Sequence, residues 1–528
     1  MRYRHAGRLM ALVSVAALVS GCGGASNPLG ASAPSGSDVS ASSAGASPAA
    51  ATPAATKAAS PSVVASMPPD PTWRLSTVGP AAAIEGWVDR VAGLAGEPVG
   101  LHVSTTGSSW TVTAFRMGWY GGVMAARVWQ SNSQPGVRQA AATRTPTVNT
   151  VQTAWPTSLQ LPTATWEPGA YLLRLDAAAG QRYVPFTVRS ASTAGKVVLI
   201  EPVTTWQAYN EWGGYSSYHG PGGTADFDNR SRAVSFDRPY ASDGAADFIS
   251  SELPVIAHAE RLGLNLAYAT DIDLDQRHDL LTDARAVVSM GHDEYWSTAM
   301  RATVTAARDR GTNVAFLGAN AVFRHVRFNP TPTGPDRLMI CYKRTSDPLY
   351  GVDNSQVTVD WREPPLSTPE SSLTGAYYES NPVDADMIIT DPSNWLFDGT
   401  GATAGQRLPH VVAFEYDRVN PGAPTPHDIE VLTHSPLTCR GVHSYADSAY
   451  YTVASGAGVY DSGTLGFAAA LPEAGATGLT AHVIGGELTN LLTAFAAGPA
   501  GPGHPANRNI DPLHEYPGDA IQDHHNSW

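Results

Sequence analysis

The sequence predicts an α/β protein with an all-β domain: an N-terminal β-sandwich followed by a parallel-sheet α/β domain that carries a loop-rich elaboration. Three observations predict it. Short alternating segments separated by turns run from about residue 84 to residue 188, the spacing of a sandwich. From Lys196 onward the strands become continuous apolar runs, such as Val197-Val198-Leu199-Ile200 and Ala286-Val287-Val288, which suit burial on both faces. Helical patterns lie between those runs, and strand–helix–strand order of this length gives a parallel sheet.

The elements follow in order. Residues 1–8 hold three arginines and no acid, residues 9–19 are mostly apolar, and Val19-Ser20-Gly21-Cys22 comes next. A basic start, a short apolar run and small residues make an export signal. The run is shorter than the roughly 20 residues that span a bilayer. The cysteine after small residues is similar to the lipobox of bacterial lipoproteins. That implies acylation at Cys22 and a chain held on the outer face of the bacterial cell membrane. The alternative is an ordinary signal peptide with a chance cysteine. Residues 23–70 are rich in Ala, Ser and Pro and hold too few large apolar groups to repay the entropy of ordering, so they read as a disordered linker.

The sandwich is expected over 71–192. Leu101 and Val103 fall on one face of a strand, with His102 and Ser104 on the other; 110–115 alternates likewise. Pro168-Gly169 opens the 170–175 strand, and 183–188 follows a turn at Gly180. Gly118-Trp119-Tyr120-Gly121-Gly122 is either an aromatic sugar platform or a core cap. The α/β domain is expected over 193–496. It has a helix at 249–262, strands at 265–270, 286–290 and 313–317, and a helix from an N-cap at Ser297 to Arg310, stopped by Gly311. Residues 347–466 form the elaboration, with strands near 410–414 and 430–433, and 488–495 is a last helix. The tail, 497–528, scatters His504, His514, His524 and His525 and reads as solvated rather than metal-binding.

A formal net charge of −14 without a basic stripe excludes nucleic acid as a partner. Hydrophobic content of 43%, with 13 Trp and 20 Tyr, is that of a globular chain. Besides Cys22 there are two cysteines, Cys341 and Cys439, which meet an oxidising compartment after export and are candidates for a disulfide; two buried thiols are the alternative.

In parallel sheets ligands gather at the carboxyl ends of strands. That rule selects Glu201 to Gly214, Gly291-His292-Asp293-Glu294-Tyr295-Trp296, and Gly318-Ala319-Asn320. A histidine and a carboxylate two residues apart suit a metal ligand beside a proton carrier. The same acids could instead be a charge pair at a helix start. With Trp206-Gln207-Ala208-Tyr209-Asn210 and Phe236-Asp237-Arg238-Pro239-Tyr240, these segments together resemble the large, catalytic subunit of N,N-dimethylformamidase and its broader family, over roughly residues 84–495.

The resemblance implies a glutamine-amidotransferase/flavodoxin-like α/β domain and a mononuclear iron, as Fe3+, held by two tyrosinates and a glutamate. Carried over, the ligands are Tyr209, Tyr240 and Glu294. The catalytic residues are His292, Asn320 and a later glutamate, Glu415, with Glu430 as the alternative. Phenolate and carboxylate are hard donors that suit a ferric ion. The expected function is hydrolysis of a small amide by a lipid-anchored protein, as a homo-oligomer or with a small partner subunit. The competing reading is a non-catalytic surface lipoprotein that binds carbohydrate or a cell-envelope partner. A cysteine-dependent amidotransferase is excluded, because neither Cys341 nor Cys439 follows a strand in a nucleophile elbow.

Overall fold

The computed structural model describes residues 67–513, apart from 224, 225 and 421. The signal segment, Cys22, most of the linker, and His514, His524 and His525 lie outside the described residues.

The chain is a sheet-rich α/β protein. Strands Ile84–Val88, Gly100–Thr105 and Leu159–Gln160 form an antiparallel sheet. A second sheet runs in the order Ala92–Gly93, Gly180–Val188, Gly169–Ala177, Ser109–Tyr120, Val123–Gln130. One buried cluster draws Ile84, Val88, Leu101 and Val103 from the first sheet and Val112, Leu173, Leu175 and Phe186 from the second. Each such side chain contributes about 1.5–3 kcal/mol by leaving water. The polar face predicted for His102 is also covered: its ring stacks on Trp87 at 4.0 Å, and Nδ1 lies 2.7 Å from the Trp155 carbonyl. Tyr120 turns inward and accepts from Arg116 at 2.8 Å, so its segment caps the core.

The larger sheet is parallel over five strands, in the order Leu266–Thr270, Val197–Glu201, Ala286–Met290, Asn313–Leu317, Gly458–Asp461. Val442–Thr452 and Glu430–Cys439 extend it antiparallel. Ser297 accepts from the Met300 amide at 3.1 Å and starts helix Thr298–Arg308, as the N-cap pattern predicts. The expected helix at 249–262 divides into a wide turn, Phe248–Glu252, and helix Leu253–Arg261, with Pro254 in its first turn. The last helix is longer than expected, Gly478–Ala497. Its first half contains Gly485 and Gly486, which cost helix stability and read as loop. A Cβ at Gly486 would lie 2.5 Å from Thr400 Cγ2, so close packing accounts for that glycine.

The elaboration holds more strand than the sequence suggested. Tyr377–Ile388 pairs with Arg407–Arg418, and ahead of the elaboration a hairpin of Arg324–Thr331 and Gly334–Ile340 lies between Ala233–Ser235 and Tyr295–Ser297.

The disulfide expectation is corrected: Cys341 and Cys439 are both buried and unbonded. Cys341 follows the Gly334–Ile340 strand, whereas Cys439 ends the strand at the sheet edge, where its Sγ donates to the Pro382 carbonyl at 3.4 Å.

The loop after Cys341 is anchored by Asp347. Its carboxylate accepts from Arg327 at 2.6 and 3.0 Å, from Thr358 Oγ1 at 2.6 Å, and from the Thr358 and Leu349 amides at 2.9 and 3.0 Å. Burial opposes the charge, but the hydrogen bonds from Arg327 and Thr358 outweigh it and hold the carboxyl below its ordinary value. Asp347→Ala is expected to cost about 3 kcal/mol by leaving those donors unpaired. A depressed carboxyl stabilises the fold above its unfolded pKa and loses that effect as pH falls through its folded value. In denaturant unfolding, the gap between wild type and Asp347→Ala should therefore be wide at pH 7 and narrow in acid. An equal gap at both would contradict this assignment.

Candidate metal centre

The three strand ends meet at one place. The Val197–Glu201 strand leads into helix Val203–Tyr209, which ends on Tyr209. The loop beyond it carries Tyr218. That loop is folded by the Ser217 amide on the Ala208 carbonyl, 2.8 Å, and by Arg238, which donates to the carbonyls of Asn210, Trp212 and Tyr215 at 3.0–3.1 Å. After Met290 the chain turns at Gly291, then presents His292 and Glu294. After Leu317 it turns at Gly318, where an added Cβ would lie 1.9 Å from the Gly291 carbonyl oxygen; only glycine lets the two turns touch. Asn320 takes a φ of 58°, which asparagine tolerates, and its amide donates to Asp417 at 2.8 Å.

The Gly291–Trp296 motif divides by side. Asp293 points into the core, accepting from Ser289 and from the Trp296 indole, both at 2.7 Å. Burial raises it to about 6. His292, Glu294 and Tyr295 face the cluster. Glu294 is not a helix-start charge, because the helix begins at Thr298 under Ser297.

Glu294 is 1% exposed. Its Oε1 accepts from Arg324 Nε at 3.1 Å, and Arg324 also pairs with Asp360. Its Oε2 accepts from Tyr209 and Tyr218, each at 2.8 Å, and the two phenol oxygens are 2.7 Å apart. Burial opposes the carboxylate, but His292, Lys343 and Arg324 outweigh it and hold it below its ordinary value. Lys343, at a φ of 61°, places its buried Nζ 3.2 Å from the centre of the Tyr218 ring. Burial, and then Glu294, raise the Tyr209 and Tyr218 phenols well above their ordinary value.

On the other side, His292 Nε2 lies 3.5 Å from Glu294 and 3.2 Å from Glu415. Burial works against its charge, yet Glu415 and then Glu294 lift it to about 9. Glu415 also accepts from Asn320 at 2.9 Å and from Asn381 at 3.4 Å. The alternative, Glu430, sits apart and binds the Asn507 amide at 2.9 Å.

Of the residues expected from sequence, Tyr209, His292, Glu294, Asn320 and Glu415 come together. Tyr240 does not join them. Its ring packs edge-on against Trp206 at 6.5 Å and faces a small cavity lined by Glu201 and Arg238. No hydrogen bond or ring contact joins Tyr240 to Tyr209 or Glu294 among the described residues. Tyr218 takes that place. Tyr218 lies just beyond the Glu201 to Gly214 stretch that the strand-end rule selected, so no signal in the sequence reading reached it. Arg324 and Lys343 carried no signal either: Arg324 opens a hairpin strand, and Lys343 lies in the loop after the hairpin, a stretch to which the sequence reading assigned no element.

Among the described residues no group of three histidine, cysteine or acidic side chains is placed to hold a metal ion, so a metal here must draw on phenol oxygens. The donor set fits one. Tyr209, Tyr218 and Glu294 Oε2 form a triangle with edges of 2.7–2.8 Å but only two hydroxyl hydrogens for three edges. One edge therefore sets oxygen against oxygen, and a cation bound to all three relieves it. Such spacing matches neighbouring ligands on a small ion with bonds of about 2.0–2.1 Å.

Fold and site together define a sheet-rich α/β protein with an all-oxygen candidate centre at its strand ends. The chain belongs to the N,N-dimethylformamidase beta subunit-like family: its C-terminal family model matches residues 111–478. That span contains every residue of the cluster. No curated protein sequence matches the chain.

Proposed function

We propose that this protein is an iron-dependent amidohydrolase that cleaves a small amide outside the cell membrane, anchored through a lipid on Cys22. The observation that carries the reading is the oxygen triangle of Tyr209, Tyr218 and Glu294, set beside His292 and Glu415. Tyr209 and Glu294 keep the roles the resemblance implied, and Tyr218 replaces Tyr240 as the third ligand. We read the two N-terminal sheets as the sandwich and the parallel sheet as the glutamine-amidotransferase/flavodoxin-like domain.

A ferric ion held by Tyr209, Tyr218 and Glu294 would supply Lewis acidity toward an amide carbonyl and lower the pKa of water. The remaining work falls to side chains. His292, 3.2 Å from Glu415, holds a proton that it can pass to the leaving nitrogen. Glu415 keeps the imidazole oriented and favours its protonated form. Asn320 spends one amide hydrogen on Glu415; the other, directed along the 3.5 Å approach to His292, is free to meet a developing oxyanion. Arg324 and Asp360 fix the Glu294 carboxylate so that Oε2 stays turned toward the phenols.

Amine release from simple formamides and acetamides by the iron-loaded protein tests this reading. His292→Ala should bind iron as the wild type does while losing about 10²–10⁴-fold in rate. Wild-type release no faster than that of the variant would contradict a catalytic role for the site. It would favour the binding reading, a surface lipoprotein without chemistry.

A further inference from the structure

The cluster contains a third phenol. Tyr295 adjoins Glu294 on the short Tyr295–Ser297 strand and is 0% exposed. Its hydroxyl donates to the Tyr218 oxygen at 2.8 Å, and among the described residues no other hydrogen-bond acceptor contacts it. Its backbone is fixed on both sides: the strand pairs with Arg324–Thr331, and the Tyr295 carbonyl accepts from Thr204 at 2.9 Å. Among the described residues Tyr209 has no such donor beyond the cluster. It touches Tyr218 and Glu294, and its ring lies beside His292 at 5.2 Å.

We propose that Tyr295 is a positioning residue, a fixed hydrogen-bond donor that makes Tyr218 the less basic and more weakly donating of two unequal phenolate ligands. The proposal rests on the ligand reading given above. Proton bookkeeping shows why the inequality survives metal loading. Binding a cation to Tyr209 and Tyr218 expels one proton from each, and no electron moves. The hydrogens that joined those phenols to Glu294 are lost. The Tyr295 hydrogen is not, since Tyr295 does not reach Glu294, and its one acceptor, Tyr218, has become a better one. Tyr218 then carries a donor that withdraws electron density and is the ligand that can more readily lengthen or exchange, while Tyr209 carries none and donates more strongly. Outer-sphere donors of this kind orient and tune metal ligands.

The test is the ferric-loaded full chain, as wild type and as Tyr295→Phe, which removes one oxygen and keeps the buried ring. The variant should retain its iron. Its phenolate-to-iron charge-transfer band should move to longer wavelength, because an undonated phenolate gives up its electron more easily. Chelator extraction should be slower, because Tyr218 without a donor on its oxygen holds the ion more strongly. An unchanged band and extraction rate in a variant that binds iron would overturn the proposal and leave the ligand reading intact. A wild type that shows no band would overturn the ligand reading and the proposal with it. Resonance Raman of the wild type needs no variant. Two phenolate C–O stretches are expected, one of which shifts in D2O; a pair equally insensitive to D2O would count against Tyr295.

Discussion

Glu294→Ala should reduce bound iron to background and abolish the tyrosinate colour while the fold persists. Glu294 is the one carboxylate in the oxygen triangle, and three basic groups surround it: Arg324 at 3.1 Å, His292 at 3.5 Å and the buried Lys343. Removing the carboxylate leaves those groups facing each other without their anion, and they then repel an incoming cation. The phenols lose their common acceptor, and their release of protons becomes harder still. Removing residues that merely orient ligands costs about 10–100-fold in metal affinity, so loss of the anionic ligand itself should exceed the upper end. Glu294→Gln keeps the shape and removes the charge; it should fail almost as completely. A Glu294→Ala protein that binds iron as tightly as wild type would remove this carboxylate from the site.

The second large effect separates two tyrosines. Tyr218→Phe should weaken iron binding by more than about 100-fold, by the same comparison, and strip most of the charge-transfer intensity, because it deletes a corner of the triangle. Tyr240→Phe should leave iron content and band unchanged, because Tyr240 packs on Trp206 and faces a different cavity. The reverse pattern, with Tyr240 required and Tyr218 dispensable, would mean that loaded protein arranges the 209–240 segment differently. Arg238, rather than Tyr240, is then the working residue of the Phe236–Tyr240 segment. It is 1% exposed and ties the tyrosine loop through three carbonyls.

These two tyrosines also mark how far the sequence could be read. Strands 286–290 and 313–317 were plain, because each is a short apolar run between a turn and a helix cap. The same runs made the strand-end rule usable, and it led to His292, Glu294 and Asn320. Tyr209 was legible because it lies in the stretch after the 197–200 strand and in the Trp206–Asn210 segment that carries the family resemblance. Tyr218 was not, because its position is set by the Ser217–Ala208 backbone bond and by Arg238, contacts that no periodicity records. Arg324 and Lys343 were missed for a related reason: the hairpin that Arg324 opens, and that leads into the loop of Lys343, is held by pairing with Tyr295–Ser297 and Ala233–Ser235, far away in sequence. The cysteine pair failed because compartment chemistry permits a disulfide but does not bring two separate strands together. The 478–497 helix was truncated in the sequence reading because its glycines answer to Pro472 and Thr400 and not to helix propensity.

The most direct test of the account is the metal content and visible spectrum of the purified protein, as isolated and after incubation with ferric iron. The account predicts close to one iron per chain and a tyrosinate-to-iron charge-transfer band. A colourless protein that takes up no iron under either condition would contradict it, and the oxygen cluster of Tyr209, Tyr218 and Glu294 would then be a hydrogen-bonded feature of the fold.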